Sequence, residues 1–241
     1  NEGTAAPGKT DAPASAPPEG ANADRVLNYR VSQDTGTLYP FAVSGGFVFL
    51  VNAFYEPLWT IDRSGVKTML LAKDWEVISD TEYKLTLRDD VKFSNGNPMT
   101  AEDVMFSMEL CAADPRFYLN VKVIDMERTK VTGTYTMDVF YTTYDCTQEV
   151  ALGSLYILDK ESYDLEYLSN HSIGTGPYNL ADYVVNSHVT AVARDDYWGE
   201  PAKIKQINFK VINEQAQVIN AIETGAIDVA GTIAAEEMDY V

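Results

Sequence analysis

Polar and apolar positions alternate cleanly from Tyr83 to Arg88, with Tyr83, Leu85 and Leu87 on one side and Lys84, Thr86 and Arg88 on the other. A period of two predicts a half-buried strand. The polar run Ser94-Asn95-Gly96-Asn97 follows and reads as a turn. Thr100 stands ahead of Asp103 as a variant capping box, and Val104, Met108 and Cys111 then recur at helical spacing. Strand, turn and helix are thus predicted in succession.

The same reading extends along the chain. Residues 25–31 predict a first strand, broken at Thr35-Gly36 and Tyr39-Pro40. Ser44 can cap a helix with Phe47, Leu50, Val51, Phe54, Tyr55 and Leu58 on its apolar face, ended by Pro57. Residues 58–62 and 66–69 predict a hairpin around Arg63-Ser64-Gly65. A second hairpin is expected from residues 120–126 and 135–141, joined through Thr132-Gly133-Thr134, and a short helix from Lys160 to Leu168. Strands are predicted at 179–185, 188–193 and 204–212. A last helix is capped by Asn213, faces inward through Val218, Ile219 and Ile222, and closes at Gly225.

Composition narrows the function classes. A formal charge of −18 in 241 residues excludes a phosphate-backbone partner, so no nucleic acid is expected. No run approaches the roughly 20 apolar residues of a membrane helix. The two cysteines, Cys111 and Cys146, form no CxxC, and with only His171 and His188 beside them no metal site is expected. A disulfide between the cysteines is one reading and two buried thiols the other. No GxSxG, HExxH or P-loop is present, and Gly174/Gly176 lack a dinucleotide-binding context, so neither an enzyme nor a cofactor is expected. The pairs Asp89/Asp90, Asp195/Asp196 and Glu236/Glu237 read as solvated surface. Residues 1–24, rich in Pro, Ala, Gly and Ser, read as a flexible linker.

Beyond these patterns, Trp75, Tyr83, Leu85, Leu87, Arg88, Val91, Lys92, Phe93, Gly96, Pro98, Thr100 to Val104, Phe106 and Ser107 resemble the signature of the family 5 extracellular solute-binding proteins. These are the peptide-, nickel- and oligosaccharide-binding receptors of ABC importers. Tyr55-Glu56-Pro57-Leu58 and Gly174-Thr175-Gly176-Pro177-Tyr178 fit further landmarks. Arg194 to Gly199 resembles another, with Asp195 where asparagine is usual, and Thr224 to Asp228 a last one, with Ala226 replacing glutamate. The resemblance covers the N-terminal half of such a receptor.

It implies an α/β, type II periplasmic-binding-protein-like lobe with a mixed sheet and an inserted β-rich subdomain. Residues 25–64 and 166–241 would form the lobe core, residues 65–165 the insertion, and the C-terminal lobe would be absent. The implied function is capture of a peptide or other small solute between two lobes and delivery to permease subunits. The implied location is the outer face of the membrane, through a lipid anchor outside this chain, or the periplasm, as a monomer. A single-lobe interaction or signalling module is the alternative. The resemblance implies ligand contacts in the segment before the first helix, here Ser44, Gly45, Gly46 and Phe47, where the glycines would admit close backbone approach; a plain helix start is the other reading. Phe117 or Tyr118 could wall the cleft, with core packing the other and favoured reading. Trp75, Phe93, Phe106, Tyr178 and Trp198 read chiefly as core.

Overall fold

The computed structural model describes residues 26–42, 50–116, 121–145 and 147–231. Its elements in chain order are β1 (Val26–Val31), β2 (Trp59–Ile61), β3 (Lys67–Met69), β4 (Ala72–Ser79), β5 (Glu82–Leu87), α1 (Ala101–Ala113), β6 (Lys130–Gly133), β7 (Thr136–Phe140), α2 (Gln148–Leu152), α3 (Leu165–Asn170), β8 (Tyr178–Val184), β9 (His188–Ala193), β10 (Gln206–Val211) and α4 (Gln215–Glu223). Two four-stranded sheets and the β2–β3 hairpin carry the fold.

The first sheet has the order β1-β10-β9-β8, with β1 parallel to β10 and the other neighbours antiparallel. It is a mixed sheet. Val31, Phe209, Val189 and Ala191 turn one face into the core. The tight turn between β8 and β9 places Asn186 at φ 59, a left-handed conformation that asparagine tolerates.

The second sheet has the order β4-β5-β7-β6, wholly antiparallel. Tyr83, Leu85 and Leu87 are all buried, as their alternation requires. On the opposite face Glu76, Lys84, Asp138 and Lys130 lie in register across the four strands. That alternation of sign suits a solvated face, each neighbour meeting its opposite. Val104, Met108 and Cys111 bury the inner face of α1. At its start the Asp103 carboxylate accepts the Thr100 N–H at 2.7 Å and the Thr100 hydroxyl at 2.9 Å.

Several expectations need correction. The partner of β7 is Lys130–Gly133 rather than residues 120–126, because Gly133 already pairs with Thr136 and so short a link joins adjacent strands only. Of residues 121–129, Ile124 still bridges Tyr141 in antiparallel fashion, the Asp125 N–H donating to the Phe140 carbonyl and the Thr142 N–H to the Val123 carbonyl, each at 2.7 Å, while turns flank this bridge, one closed by the Thr129 N–H to the Asp125 carbonyl. Strand β4 carries no simple alternation and was not expected. The helix placed at Lys160 to Leu168 begins after Asp164, whose carboxylate accepts the Glu166 and Tyr167 N–H groups. Glu214, not Asn213, is the N-cap of α4. In the first helix only Leu50 and Val51 are helical among the described residues, and a turn follows well before Pro57. Leu50, Val51, Phe54, Tyr55 and Leu58 are nevertheless all buried.

Candidate functional site

In open sheets with parallel strands, ligands collect outside the carboxyl ends of those strands. Here β1 and β10 end together, the Ile212 N–H donating to the Val31 carbonyl at 3.0 Å. Residues 32–42 leave β1 at that end. Two anchors hold this loop. The Asp34 carboxylate accepts the Gly36 N–H at 2.7 Å, the Tyr183 hydroxyl at 2.9 Å and the Asn186 N–H at 2.6 Å. The buried Leu38 donates its N–H to the Ser169 carbonyl at 2.9 Å.

Around and beyond the second anchor the loop forms one wall of a cavity of about 560 Å³. Thr37, Tyr39, Phe41 and Ala42 line that wall; Leu110 and Ala113 of α1 and the following Asp114, Pro115 and Arg116 line another, and Tyr163, Leu165 and Ser169 close the far side. The lining is aromatic. The Tyr39 ring stands edge-on to Phe41 at 5.7 Å and to Tyr163 at 6.5 Å, and Phe106 backs Tyr163 at 5.1 Å. Burial, then the neighbouring Tyr163 hydroxyl, pushes the Tyr39 phenol well above its ordinary range, so it stays neutral. At the end of α1, Arg116 grips the Asp114 carboxylate through Nε at 3.0 Å and Nη2 at 2.6 Å. That bond holds the Asp114 carboxyl below its usual value. The cavity is open to solvent and mixes apolar rings with polar side chains, both of which a small-molecule site uses.

Ser44, Gly45, Gly46 and Phe47 lie outside the described residues, as do Phe117, Tyr118 and Cys146. The cavity nevertheless includes Ala42 and Arg116, the described residues that adjoin segments 43–49 and 117–120 in the chain. Sequence reasoning missed Tyr39, Phe41 and Tyr163. Tyr39-Pro40-Phe41 could have been read as an aromatic wall rather than only a break. Tyr163 has no local signal, since its role depends on contacts made across the fold.

The sequence landmarks converge on a different point, a buried polar junction between the two sheets. Gly176 donates its N–H to the Phe54 carbonyl at 2.9 Å, and Tyr178 to the Ala53 carbonyl at 3.1 Å. The Ser94 N–H reaches the Gly174 carbonyl at 2.9 Å. The buried Arg194 guanidinium spans the junction, donating to the carbonyls of Lys92, Phe93, Gly174 and Gly176, each at 3.3 Å, and to the exposed Asp196 carboxylate. Beside it the Glu56 carboxylate accepts the Tyr197 hydroxyl at 2.6 Å and the Trp198 Nε1–H at 2.9 Å. Burial raises the Glu56 carboxyl above its ordinary value despite these bonds. Every polar group named here has a partner. The junction is framework.

Of the expected core aromatics, Trp75 and Phe93 are buried, while Phe106, Tyr178 and Trp198 are half-buried. Cys111 is a free, fully buried thiol. Among the described residues no group of three or more His, Cys, Asp or Glu side chains could hold a metal ion. No helix among them is long and apolar enough to cross a membrane.

The family described as bacterial extracellular solute-binding proteins, family 5 Middle, matches residues 68–241. The nickel-binding periplasmic protein of Escherichia coli K12 is 32% identical over 205 residues, covering 81% of this chain and 39% of that protein. The oligopeptide-binding protein OppA of Bacillus subtilis is 24% identical over 243 residues, covering 86% and 43%. Among solved structures, the oligopeptide-binding protein AppA of Bacillus subtilis in complex with a nonapeptide superposes with a TM-score of 0.81 at 18% identity, covering 90% of this chain and 45% of that one. The chain therefore spans about two fifths of the length of the curated relatives it matches.

Proposed function

We propose, from the premise that this chain belongs to the bacterial extracellular solute-binding proteins of family 5, that it is one lobe of the receptor component of an ABC importer. The observation that carries this reading is the family match over residues 68–241, together with the cavity between the loop that follows β1, the end of α1 and residues 163–169. In this reading a second lobe closes over the solute, excludes water around its polar groups and presents the closed form to the permease. Residues 1–24 would then serve as the tether to a lipid-anchored terminus, outside the cell or in the periplasm.

The solute is a short peptide. Tyr39, Phe41 and Tyr163 offer rings for one apolar side chain, and the Asp114–Arg116 pair offers complementary charge for a zwitterion. The likeness to OppA supports this choice. A nickel complex is the second reading, favoured by the higher identity to the nickel-binding relative. Residues 44–47 and Tyr118 remain proposed contacts in either case.

The test is an NMR titration of the 241-residue chain, with tripeptides of varied central residue in one arm and nickel chloride in the other. One wall of a cleft holds a ligand weakly, so shifts are expected around Tyr39, Phe41 and Tyr163 without saturation below about millimolar peptide. Shifts with nickel alone would replace the peptide reading. Micromolar saturation with peptide would end the two-lobe requirement, and no shift in either arm would remove the cavity as the site.

A further inference from the structure

The turn between Phe93 and Pro98 holds chemistry that the receptor reading leaves unused. It contains Asn95-Gly96, and glycine has no Cβ to keep its own nitrogen from the neighbouring side-chain amide. Both reacting groups are occupied here. Asn95 Nδ2 donates to Asp159 Oδ2 at 2.7 Å and to the Ser162 hydroxyl at 3.0 Å, while its Oδ1 accepts the Asn97 N–H at 3.0 Å. The Gly96 N–H is turned to the Phe93 carbonyl at 2.9 Å. Asp159 is itself buried and fixed by Asn97 at 2.9 Å, by the Glu161 N–H at 3.1 Å and by Ser162.

We infer that Asn95 is a modification site, deamidated through Gly96, and that the buried Asp159 carboxylate keeps it silent by holding the amide away from attack. In the reaction the Gly96 nitrogen loses its proton to solvent base and bonds to Asn95 Cγ. The Cγ–Nδ2 bond breaks and ammonia leaves with the returned proton, giving a five-membered imide. Water opens that ring to aspartate or to isoaspartate, so the net change is water consumed and ammonia released. A new carboxylate then stands where an amide donor stood 2.7 Å from Asp159. Two anions at that distance repel. The same turn holds the junction through Ser94 to Gly174 and through the Phe93 carbonyl to Arg194, so modification loosens the contact between the sheets.

The experiment ages the protein in mildly alkaline buffer and follows the peptide containing Asn95 by mass spectrometry. The arms are the native chain, the chain in urea, Asp159→Asn and Ser162→Ala. Conversion in urea is expected at least about tenfold faster than in the native chain, since the reaction waits on local opening. Asp159→Asn is expected to approach the urea rate, and Ser162→Ala, which keeps the carboxylate, to fall between. Equal rates in native and unfolded chains would overturn the proposal. So would an Asp159→Asn protein that retains a cooperative melt yet converts no faster than the parent. Should that variant fail to fold, Ser162→Ala decides, and an unchanged rate there overturns it. As a second measurement, Asn95→Asp is expected to lower the Tm, and less so when Asp159 is also Asn; equal losses in both backgrounds would contradict the carboxylate clash.

Discussion

A β-carbon added to Gly174 would stand 2.1 Å from the carbonyl oxygen of Phe54. No non-bonded carbon and oxygen tolerate that distance, and the obstacle is backbone rather than a side chain that could swing aside. At Gly176 the corresponding approach to the Ala53 carbonyl oxygen is 2.6 Å. Gly174→Ala must therefore push the two backbone segments away from each other, and is expected to cost roughly 3 kcal/mol or more. Chemical denaturation checks this, and a loss within the range of an ordinary surface substitution would show that the segments are not so tightly opposed.

Arg194 holds what those glycines bring together. Its guanidinium is buried and serves carbonyls from both the Phe93 turn and the Gly174 loop. Lysine presents three donors from one nitrogen and cannot span these carbonyls and Asp196 as the three nitrogens of a planar guanidinium do. Arg194→Lys is expected to lose roughly 3 kcal/mol, comparable with breaking other buried charge networks. A Tm close to that of the parent would contradict a junction that depends on the planar fork.

How much of this was legible beforehand depended on whether the cause was local. The Tyr83 to Leu87 strand, the Asp103-capped helix and the β8–β9 hairpin follow from side-chain period and turn chemistry alone. Strand β4 did not, because only Ala72 and Trp75 along it are buried and register shifts interrupt its pairing. Lys130–Gly133 has little hydrophobic signal and owes its place to the short turn into β7, whereas the more hydrophobic residues upstream only bridge the end of that strand, at Ile124 and Tyr141. The glycine pair was visible as a motif, but its reason, contact with residues 53 and 54, is tertiary. Tyr163 could not be found at all from neighbours in sequence.

Glu56 should make stability depend on pH in a direction opposite to that of the surface carboxylates. Burial raises its carboxyl in the folded chain, outweighing the donors Tyr197 and Trp198. The folded state thus binds the proton more tightly than the unfolded state does. That contribution is fully present below the unfolded value of about 4.3 and is lost as pH rises through the raised folded value. Asp90 and Asp196, lowered mainly by hydrogen bonds from Arg88 and Arg194, act the other way and lose their contribution as pH falls. Comparison with Glu56→Gln isolates the buried group. The Tm of the parent minus that of the variant is expected to fall as pH rises across this window, and a difference that rises would reverse the assignment.

Cys111 is expected to be chemically silent while the protein is folded. It has no accessible surface, and burial followed by the nearby Asp114 charge pushes its thiol up to about 12. At pH 8 only about one molecule in ten thousand would carry the reactive thiolate, before access is considered. Iodoacetamide labelling read by peptide mapping should therefore modify Cys111 only as fast as the chain opens, and completely in urea. Cys111→Ser tests the packing role, because a hydroxyl among Val104, Met108 and their neighbours is expected to cost roughly 1–3 kcal/mol without a partner. Rapid labelling of the native chain would mean that α1 separates readily from the second sheet. The end of that helix would then be too mobile to serve as a fixed wall for the cavity beside Tyr39.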